Sequence, residues 1–356
     1  MAAKGAAHIA HEGACCHGRR RYWHSRAVLV VRGRAGELMF ATTRTGGTWD
    51  MNSKFWKVCL TAMVLTAATA TAGCGGSEEP TTSSGLPATL RVGLIPNISP
   101  DKQKAQYEPL RAYLAGKLGA QIELFVATDY AGVVAALIAK KIDIAYMGGL
   151  TYAQAKAQAK GVLPLVTEID EETSTTKYFS ALVARKDATY TSAKDIVAAG
   201  ASIALGDIAS TSGSLYPRVM LVSAGAKCDK AELTKCPPLK SVTFTGGHDA
   251  AAQAVLKGST DVAGLELRIL HRLEKQGTIP TGALKVIEKM EVQGYPWVAR
   301  EGLSQQARDA IVAAYEQIDD PALLTLMRAK KYVAVTEADY TALADKAAEL
   351  GLLTRS

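Results

Sequence analysis

The chain has 356 residues, 48% of them hydrophobic and 21% charged, which is ordinary for a globular protein of one or two domains. Its net charge of +7 is unevenly placed: residues 1–74 carry 10 Lys and Arg against 3 Asp and Glu, whereas residues 75–356 carry 31 of each. The excess positive charge therefore belongs to the leader, and the balanced body argues against a nucleic-acid or membrane-surface partner.

Residues 51–73 have the organisation of an export signal. A short basic segment, MNSKFWK, precedes the apolar run VCLTAMVLTAATATAG, which is too short to cross a bilayer as a helix. The small residues before Cys74 resemble a bacterial lipoprotein signal, so we expect cleavage there, a lipidated Cys74 and a flexible linker over 74–88. The alternative is a plain secretory signal cleaved nearby. Either signal exports the body to the periplasm or cell surface, and a lipid anchor is its only predicted membrane contact.

Residues 1–50 precede this signal and show no apolar periodicity. A signal peptide must lie near the N-terminus to be threaded, so we interpret 1–50 as a non-native N-terminal extension. His11, Cys15, Cys16 and His17 are competent metal ligands, but an over-extended start explains the segment better than a metal site does. We predict no metal and no cofactor.

Two cysteines remain in the body, Cys228 and Cys236, eight residues apart. In an oxidising compartment we expect them to form one disulfide that closes a small loop, worth about 2.5 kcal/mol in chain-entropy arithmetic. The alternative is a pair of reduced surface thiols. Redox catalysis is not expected, because the body has no C-x-x-C spacing.

Strands and helices alternate through the body, first in the order LRVGLIP (90–96), PDKQKAQYEPLRAYLAGKLG, IELFVAT, YAGVVAALIAK, IDIAYMG, TYAQAKAQAKG and LPLVTEI. The strand YFSALVAR (178–185) is then predicted to carry the chain out of a first lobe. A second alternating series runs from the helix TSAKDIVAAG to the strand LKVIEKM. YPWVAR (295–300) returns the chain to the first lobe, where three helices end it.

Repeated βα units imply parallel-type sheets covered by helices. The predicted fold class is α/β with two lobes, each a mainly parallel sheet with flanking helices, joined by two crossover strands as a hinge. The first lobe is assigned residues 89–182 and 296–356, and the second 183–295. Because ligands of open α/β sheets sit outside the carboxyl ends of the strands, the loops that follow the strands form the candidate site.

The run Ser210-Thr211-Ser212-Gly213 follows one such strand and directly precedes a helix. Its hydroxyls, the first helical N–H groups and the positive end of the helix dipole would together form an anion pocket. Simple N-capping is the alternative, although capping needs one hydroxyl rather than three in a row. The composition of the run leaves both interpretations open.

The strings TDYAGVVAALIAKKIDIAYMGGLTYAQA, STSGSLYPR and GGHDAAAQAVLKGSTDVAGLE resemble the phosphonate and phosphite solute-binding proteins of ABC importers, in order over nearly all of residues 88–300. The resemblance implies a two-lobe periplasmic-binding-protein fold of the type II, hinge-bending kind. It also implies which side chains hold the oxyanion, with Tyr146 at the pocket mouth: Tyr130, Ser210, Thr211, Ser212, His248 and Glu266.

The resemblance assigns a chemical task to each residue type. Hydroxyls and helix N–H groups donate to the oxyanion, His248 donates in either protonation state, and Glu266 accepts from a P–OH and repels fully ionised sulfate. The bland alternatives are a strand-capping His248, a core Tyr130 and a surface Glu266. The chain departs from the family in having Gly148-Gly149 where Gly-Pro is common, Glu266 where Asp or Asn is common, and Arg268 close enough to neutralise Glu266.

The expected partners are a small phosphorus oxyanion (a phosphonate, phosphite or phosphate) and the permease subunits of an ABC importer, with the protein itself a monomer that binds no nucleic acid. A ligand sensor for a histidine kinase, binding an oxyanion such as arsenite or phosphite, would use the same pocket and remains an alternative. An enzyme is not expected: Ser212, His248 and Glu266 could be imagined as a triad, but the body lacks the G-x-S-x-G, Walker A and HExxH motifs.

Overall fold

The structure is a computed structural model in which residues 81–353 are described. The predicted extension 1–50, the signal 51–73 and Cys74 lie outside the described residues. Those that are described belong to one compact unit, Gly75–Ser356. Across 81–353 there is no helix that combines the length and the apolar character needed to span a bilayer.

Strands and helices alternate as the sequence predicts. The strands are β1 (Thr89–Leu94), β2 (Gln121–Val126), β3 (Ile144–Tyr146), β4 (Leu163–Asp170), β5 (Lys177–Arg185), β6 (Ser202–Leu205), β7 (Ser241–Phe244), β8 (Val262–Glu266), β9 (Leu284–Gln293), β10 (Trp297–Ala299) and β11 (Ala329–Ala334). The α-helices are α1 (Pro100–Leu118), α2 (Tyr130–Ile138), α3 (Gly149–Gln158), α4 (Ala193–Ala198), α5 (Tyr216–Ser223), α6 (His248–Leu256), α7 (Leu267–Lys275), α8 (Gln305–Glu316), α9 (Pro321–Met327) and α10 (Thr341–Glu349).

The first sheet has the strand order β11-β4-β10-β3-β1-β2 and forms the first lobe. β1 is parallel to β2 and β3, whereas β10 is antiparallel to β3 and β4, and β11 is antiparallel to β4. α1 packs Leu110 and Leu114 into the same core as Leu90 and Val92 of β1, and it ends at Gly119 in the left-handed conformation that glycine allows.

The second sheet has the order β7-β6-β8-β5-β9 and forms the second lobe. β6 is parallel to β7 and β8, and β5 is antiparallel to β8 and β9. Alternate residues of β5 enter different cores: Ala181 and Val183 pack on one face of the sheet, and Leu182 and Ala184 on the other. A sheet covered on both faces explains why this strand is apolar at successive positions.

The predicted two-lobe α/β fold is confirmed, because the chain passes from the first sheet to the second between β4 and β5 and returns between β9 and β10. The sheets are mixed rather than mainly parallel as predicted, because the crossover strands run antiparallel to their neighbours. The predicted boundary after residue 182 needs correction. It falls inside β5, which pairs along its whole length with β9, so the change of lobe lies within residues 171–176.

β11 interrupts the three helices expected at the C-terminus. Arg328 ends α9 in the left-handed conformation, with φ of 59°, and the chain then extends along the edge of β4. Tyr332 is buried while Lys330 and Lys331 are exposed. Two adjacent exposed lysines break the alternation that identifies a strand, which is why the sequence pattern did not predict β11.

Cys228 and Cys236 form a disulfide in the loop between α5 and β7. Cys236 is buried against the second-lobe core. The predicted pairing is therefore present, and it lies in a loop separate from the one that follows β6.

Candidate ligand-binding site

The chain between β6 and α5 forms a tight turn that ends in the π-helical segment Thr211–Leu215. The N–H of Gly206 donates to the carbonyl of Gly213 at 2.9 Å, which folds the loop back on itself. A Cβ on Gly213 would lie 2.8 Å from Cε1 of His248, so only glycine lets the imidazole approach the turn this closely. π-Helical turns are frequent at functional sites.

The three hydroxyls of this turn have three different surroundings. Ser210 Oγ accepts from the N–H of Gly213 at 3.0 Å, which is an N-cap interaction. Thr211 Oγ1 reaches the first lobe and accepts from the N–H of Leu150 at 2.9 Å. Ser212 Oγ is buried and finds no hydrogen-bond partner among residues 81–353. N-capping therefore accounts for Ser210 and leaves Ser212 with a free hydroxyl.

Helix N-termini at the cleft are capped from the opposite lobe. Leu150 lies in the first turn of α3, where N–H groups have no acceptor within the helix, and its acceptor belongs to the second lobe. The N–H of Tyr130, the first residue of α2, donates to Asp207 Oδ2 of the second lobe at 3.3 Å. In the reverse direction, the N–H of His248 at the start of α6 donates to the carbonyl of Asn97 at 3.1 Å. The two lobes are thus closed on one another.

Gly148 permits the contact between Thr211 and α3. A Cβ at this position would lie 2.6 Å from Thr211 Oγ1, closer than van der Waals contact allows. Any side chain at Gly148 would therefore push Thr211 away from the N–H of Leu150. The departure from Gly-Pro concerns Gly149 instead, where a Cβ would lie 2.5 Å from Cδ1 of Leu343.

Two tyrosine hydroxyls are buried without a hydrogen-bond partner among the described residues, as Ser212 Oγ is. Tyr130 in the first lobe and Tyr178 in β5 are each 1% exposed, and neither hydroxyl has a hydrogen-bond partner in the described part of the chain. Burial raises the pKa of both phenols, so they are O–H donors at neutral pH. Ser210 lies close enough to Tyr130, and Ser212 to Tyr178, to oppose part of this rise in pKa, but neither pair of hydroxyls has hydrogen-bond geometry. A buried hydroxyl without a partner costs about 1–3 kcal/mol, which a polar ligand would relieve.

His248 is held as a neutral donor. Its Nδ1 accepts from the backbone N–H of Glu266 at 3.1 Å, so the neutral ring carries its proton on Nε2. That nitrogen has one long contact, 3.5 Å to Ser210 Oγ. Burial lowers the pKa of His248 to about 4, although the nearby Glu266 carboxylate acts in the opposite direction. We call Tyr130, Tyr178, residues 210–213 and His248 the cradle.

Glu266 lies beside the cradle in a buried set of charges. Its Oε1 is 2.8 Å from Arg268 Nε and 3.1 Å from Arg328 Nη1, and its Oε2 accepts from the hydroxyl of Tyr295 at 2.6 Å. Arg268 Nη1 also donates to Glu168 at 3.1 Å and to Asp170 at 2.7 Å. We call the five charged residues the charge network: Glu168, Asp170, Glu266, Arg268 and Arg328.

The charge network keeps Glu266 ionised and neutralised at once. Burial alone would raise its pKa, but the two arginines outweigh that effect and the pKa falls to about 2. The expected neutralisation by Arg268 is therefore present, and Arg328 adds to it. A carboxylate opposed by two guanidinium groups exerts little net repulsion on sulfate, so this part of the predicted selectivity loses its physical basis.

Comparison with known proteins shows the family of the chain. The family described as "ABC transporter, phosphonate, periplasmic substrate-binding protein" matches residues 92–340. The chain belongs to this family. It is 32% identical over 285 residues to the phosphate-import protein PhnD of Mycolicibacterium smegmatis, which covers 75% of this chain and 88% of the relative. It is 30% identical over 225 residues to the phosphonates-binding periplasmic protein of Escherichia coli, and this alignment covers 62% of this chain and 64% of the relative.

Solved structures show the same fold. PhnD1 of Prochlorococcus marinus, solved in complex with methylphosphonate, matches with a TM-score of 0.67 and 21% identity over 75% of this chain and 99% of that one. A binding protein component of an ABC phosphonate transporter from Pseudomonas aeruginosa matches with a TM-score of 0.65 and 24% identity. The match covers 74% of this chain and 86% of that one. The chain is therefore the periplasmic substrate-binding component of an ABC transporter, and the comparisons do not support the sensor alternative.

Tyr146 differs from its predicted position within the family's pocket. It does not lie at a mouth: its ring is 2% exposed and stacks on Tyr295 at 4.9 Å between ring centroids. Tyr107 and Trp297 pack on it as well, and Arg328 Nη2 donates to its hydroxyl at 3.4 Å. Tyr146, at the end of β3, therefore lies in the first-lobe core and contacts the charge network through Arg328 and Tyr295.

Three side chains near the cradle were not predicted from the sequence. Tyr178 opens YFSALVAR, and its place in a crossover strand beside the cleft was the available signal. Tyr295 had a similar signal in the second crossover, at the start of YPWVAR. Arg328 had no such sequence signal, because it is the left-handed residue between α9 and the unpredicted β11.

Proposed function

We propose that this protein captures a small phosphorus oxyanion (phosphate, phosphite or a short phosphonate) in the cradle and delivers it to the permease of an ABC importer. The proposal rests on buried cradle donors that have no hydrogen-bond partner among residues 81–353. These are the hydroxyls of Tyr130, Tyr178 and Ser212, and Nε2–H of His248 makes only a long contact. Hydrogen bonds from such donors to an anion are short and strong.

Binding in the cradle would favour lobe closure. Tyr130 belongs to the first lobe, whereas Ser212, Tyr178 and His248 belong to the second, so one small anion would contact both. A ligand that bonds to both lobes stabilises the closed state by its differential affinity for that state. The cross-lobe cap between Thr211 and Leu150 adds to the same closure.

The geometry does not support the imagined hydrolase. His248 Nδ1 is engaged by the backbone N–H of Glu266 rather than by its carboxylate, and the hydroxyl nearest to Nε2 belongs to Ser210, not Ser212. A nucleophile, base and orienting acid must be hydrogen-bonded in sequence, and these residues are not. We therefore propose a binding protein without catalytic activity.

We further propose that the exported protein is a monomer anchored through a lipid on Cys74. Cys74→Ala should release it from the membrane fraction into the soluble fraction, with cradle binding unchanged. A wild-type product that carries no acyl chains by mass spectrometry would refute the anchor, and a dimer in light scattering would refute the monomer.

The proposed ligand class is tested by calorimetric titration of the purified exported protein with phosphate, phosphite, methylphosphonate and sulfate. We expect saturable binding of at least one phosphorus oxyanion, with sulfate as the reference tetrahedral oxyanion of similar size. A ligand present at 100 times its Kd should also stabilise the fold by about 2.7 kcal/mol. If none of the phosphorus oxyanions binds, or if sulfate binds more tightly than every one of them, the proposal fails.

A further inference from the structure

Every carboxylate buried in the described part of the chain already has partners. There are five: Asp143, Glu168, Asp170, Asp207 and Glu266. Asp143, away from the cleft, pairs with Arg91 and Arg300. The other four lie at or behind the cradle, and they decide whether a positive group could be held there.

Each of these four carboxylates accepts from the protein itself. Glu168 and Asp170 accept from Arg268 Nη1. Asp207 accepts from the N–H of Ala209 at 2.7 Å and from that of Tyr130 at 3.3 Å. Glu266 has two guanidinium groups at Oε1 and a phenol at Oε2, so its negative charge is already paired with two positive charges.

An ammonium group brought into this cleft would lose its hydration without gaining a carboxylate that lacks protein donors. Asp207 has no cationic partner in the described part of the chain, but both of its oxygens already accept from backbone N–H groups. Removing a charge from water costs several kcal/mol unless a partner compensates. Asp129 is exposed and Asp249 is half-buried; both stand at the rim, where solvent weakens their attraction. The guanidinium groups of Arg268 and Arg328, which lie 2.8 and 3.1 Å from Oε1 of Glu266, would add repulsion.

We propose that this site selects phosphorus oxyanions without an ammonium group, and that Arg328 and Tyr295 determine this specificity by occupying Glu266. The inference rests on the proposed function and narrows it. The substrate class is then inorganic phosphate or phosphite, or a phosphonate whose substituent is small and uncharged. Aminoalkylphosphonates are excluded by charge rather than by size.

Size-matched ligand pairs separate charge from volume. Propylphosphonate and 2-aminoethylphosphonate differ by a methyl group against an ammonium group, and ethylphosphonate and aminomethylphosphonate give a smaller pair. In calorimetric titrations of the exported protein, with phosphate and phosphite alongside, we expect the amino member of each pair to bind at least tenfold more weakly. Equal or tighter binding of the amino members would overturn the inference while leaving the proposed function intact.

Substitutions at the charge network test the assigned residues. Arg328→Met removes one guanidinium from Glu266, and Tyr295→Phe frees Oε2 while changing only a hydroxyl. Both should shift the affinity ratio within each pair toward the amino member, by tenfold or more for Arg328→Met and by severalfold for Tyr295→Phe. Arg272→Met is the matched control, because Arg272 donates to Gln106 and forms no ion pair with Glu266.

The outcomes are distinct. A ratio that shifts equally in Arg272→Met and Arg328→Met, or in neither Arg328→Met nor Tyr295→Phe, would show that contact with Glu266 is not the determinant. Binding of phosphate with exclusion of both members of both pairs would show selection by size and would also overturn the inference. If no phosphorus oxyanion binds at all, the proposed function fails and the inference fails with it. Should Arg328→Met not fold, Tyr295→Phe decides.

Discussion

The cradle and the charge network lie side by side between the lobes, and both are buried, but the hydroxyls of the cradle and the carboxylates of the charge network are satisfied in opposite ways. In the cradle, the hydroxyls of Tyr130, Tyr178 and Ser212 have no partner among the described residues. In the charge network, the single carboxylate of Glu266 is contacted by Arg268, Arg328 and Tyr295. The contrast separates groups that hold the protein together from groups that remain available to a ligand.

This contrast also divides stability from affinity. A buried polar group with a partner stabilises the unliganded fold, whereas one without a partner costs free energy until a ligand arrives. Substitutions in the charge network should therefore change stability first, and substitutions of the free hydroxyls should change affinity first. The following predictions test that division.

The largest effect is expected from Arg268→Met. The side chain of Arg268 is 2% exposed and contacts Glu168, Asp170 and Glu266. Its removal would leave buried carboxylates short of a counter-charge, which typically costs about 3–5 kcal/mol of unfolding free energy. Urea denaturation measures the loss.

Arg111→Met is the control for Arg268→Met. Arg111 pairs with Glu108 on the surface of α1, with both side chains substantially exposed. Such pairs contribute less than about 1 kcal/mol. If the two variants lose similar stability, the charge network does not carry the structural role assigned to it.

His248 predicts a pH dependence of stability. Its pKa is about 4 in the folded protein against about 6.5 in an unfolded chain. The unfolded state therefore binds more protons between these values, and stability should fall as pH is lowered from about 6.5 to about 4, by about 3 kcal/mol. His248→Gln keeps a side-chain donor but does not titrate, so its stability should vary much less over this window. A variant with the wild-type slope in urea titrations would assign the pH dependence to other groups.

The sequence predicted the cradle better than the charge network for a physical reason. Ser210, Thr211, Ser212 and His248 each stand within a few residues of a strand end and a helix start, so local rules on caps and strand ends apply to them. Arg268 and Glu168 are 100 residues apart, and their contact depends on how the two lobes meet. No local periodicity encodes such a meeting.

The same distinction explains the misplaced and missing residues. Glu266 and Tyr146 were correctly placed at strand ends. Both are contacted by Arg328, which ends α9, and by Tyr295, which precedes β10, so the direction of their side chains was not predictable from local pattern. Arg328 depends on a left-handed residue followed by an edge strand with two exposed lysines. The lobe boundary shifted because an apolar crossover strand has the same appearance whichever sheet it joins.

The smallest and most discriminating prediction compares two neighbouring serines. Ser212→Ala removes a hydroxyl that has no partner, so the unliganded protein should keep its stability or gain slightly. If that hydroxyl donates to the oxyanion, the bond is charge-assisted and worth roughly 1.5–3 kcal/mol, so the Kd should rise about tenfold to a hundredfold. Ser210→Ala instead removes the N-cap to Gly213 and should lower stability by about 1 kcal/mol.

Calorimetric titration with the tightest phosphorus oxyanion, beside melting curves of both variants, measures the two effects. Because the two side chains are identical and two positions apart, opposite profiles can only come from what each hydroxyl contacts. Equal losses of stability with unchanged affinity would make the whole run a capping motif and move the anion site elsewhere.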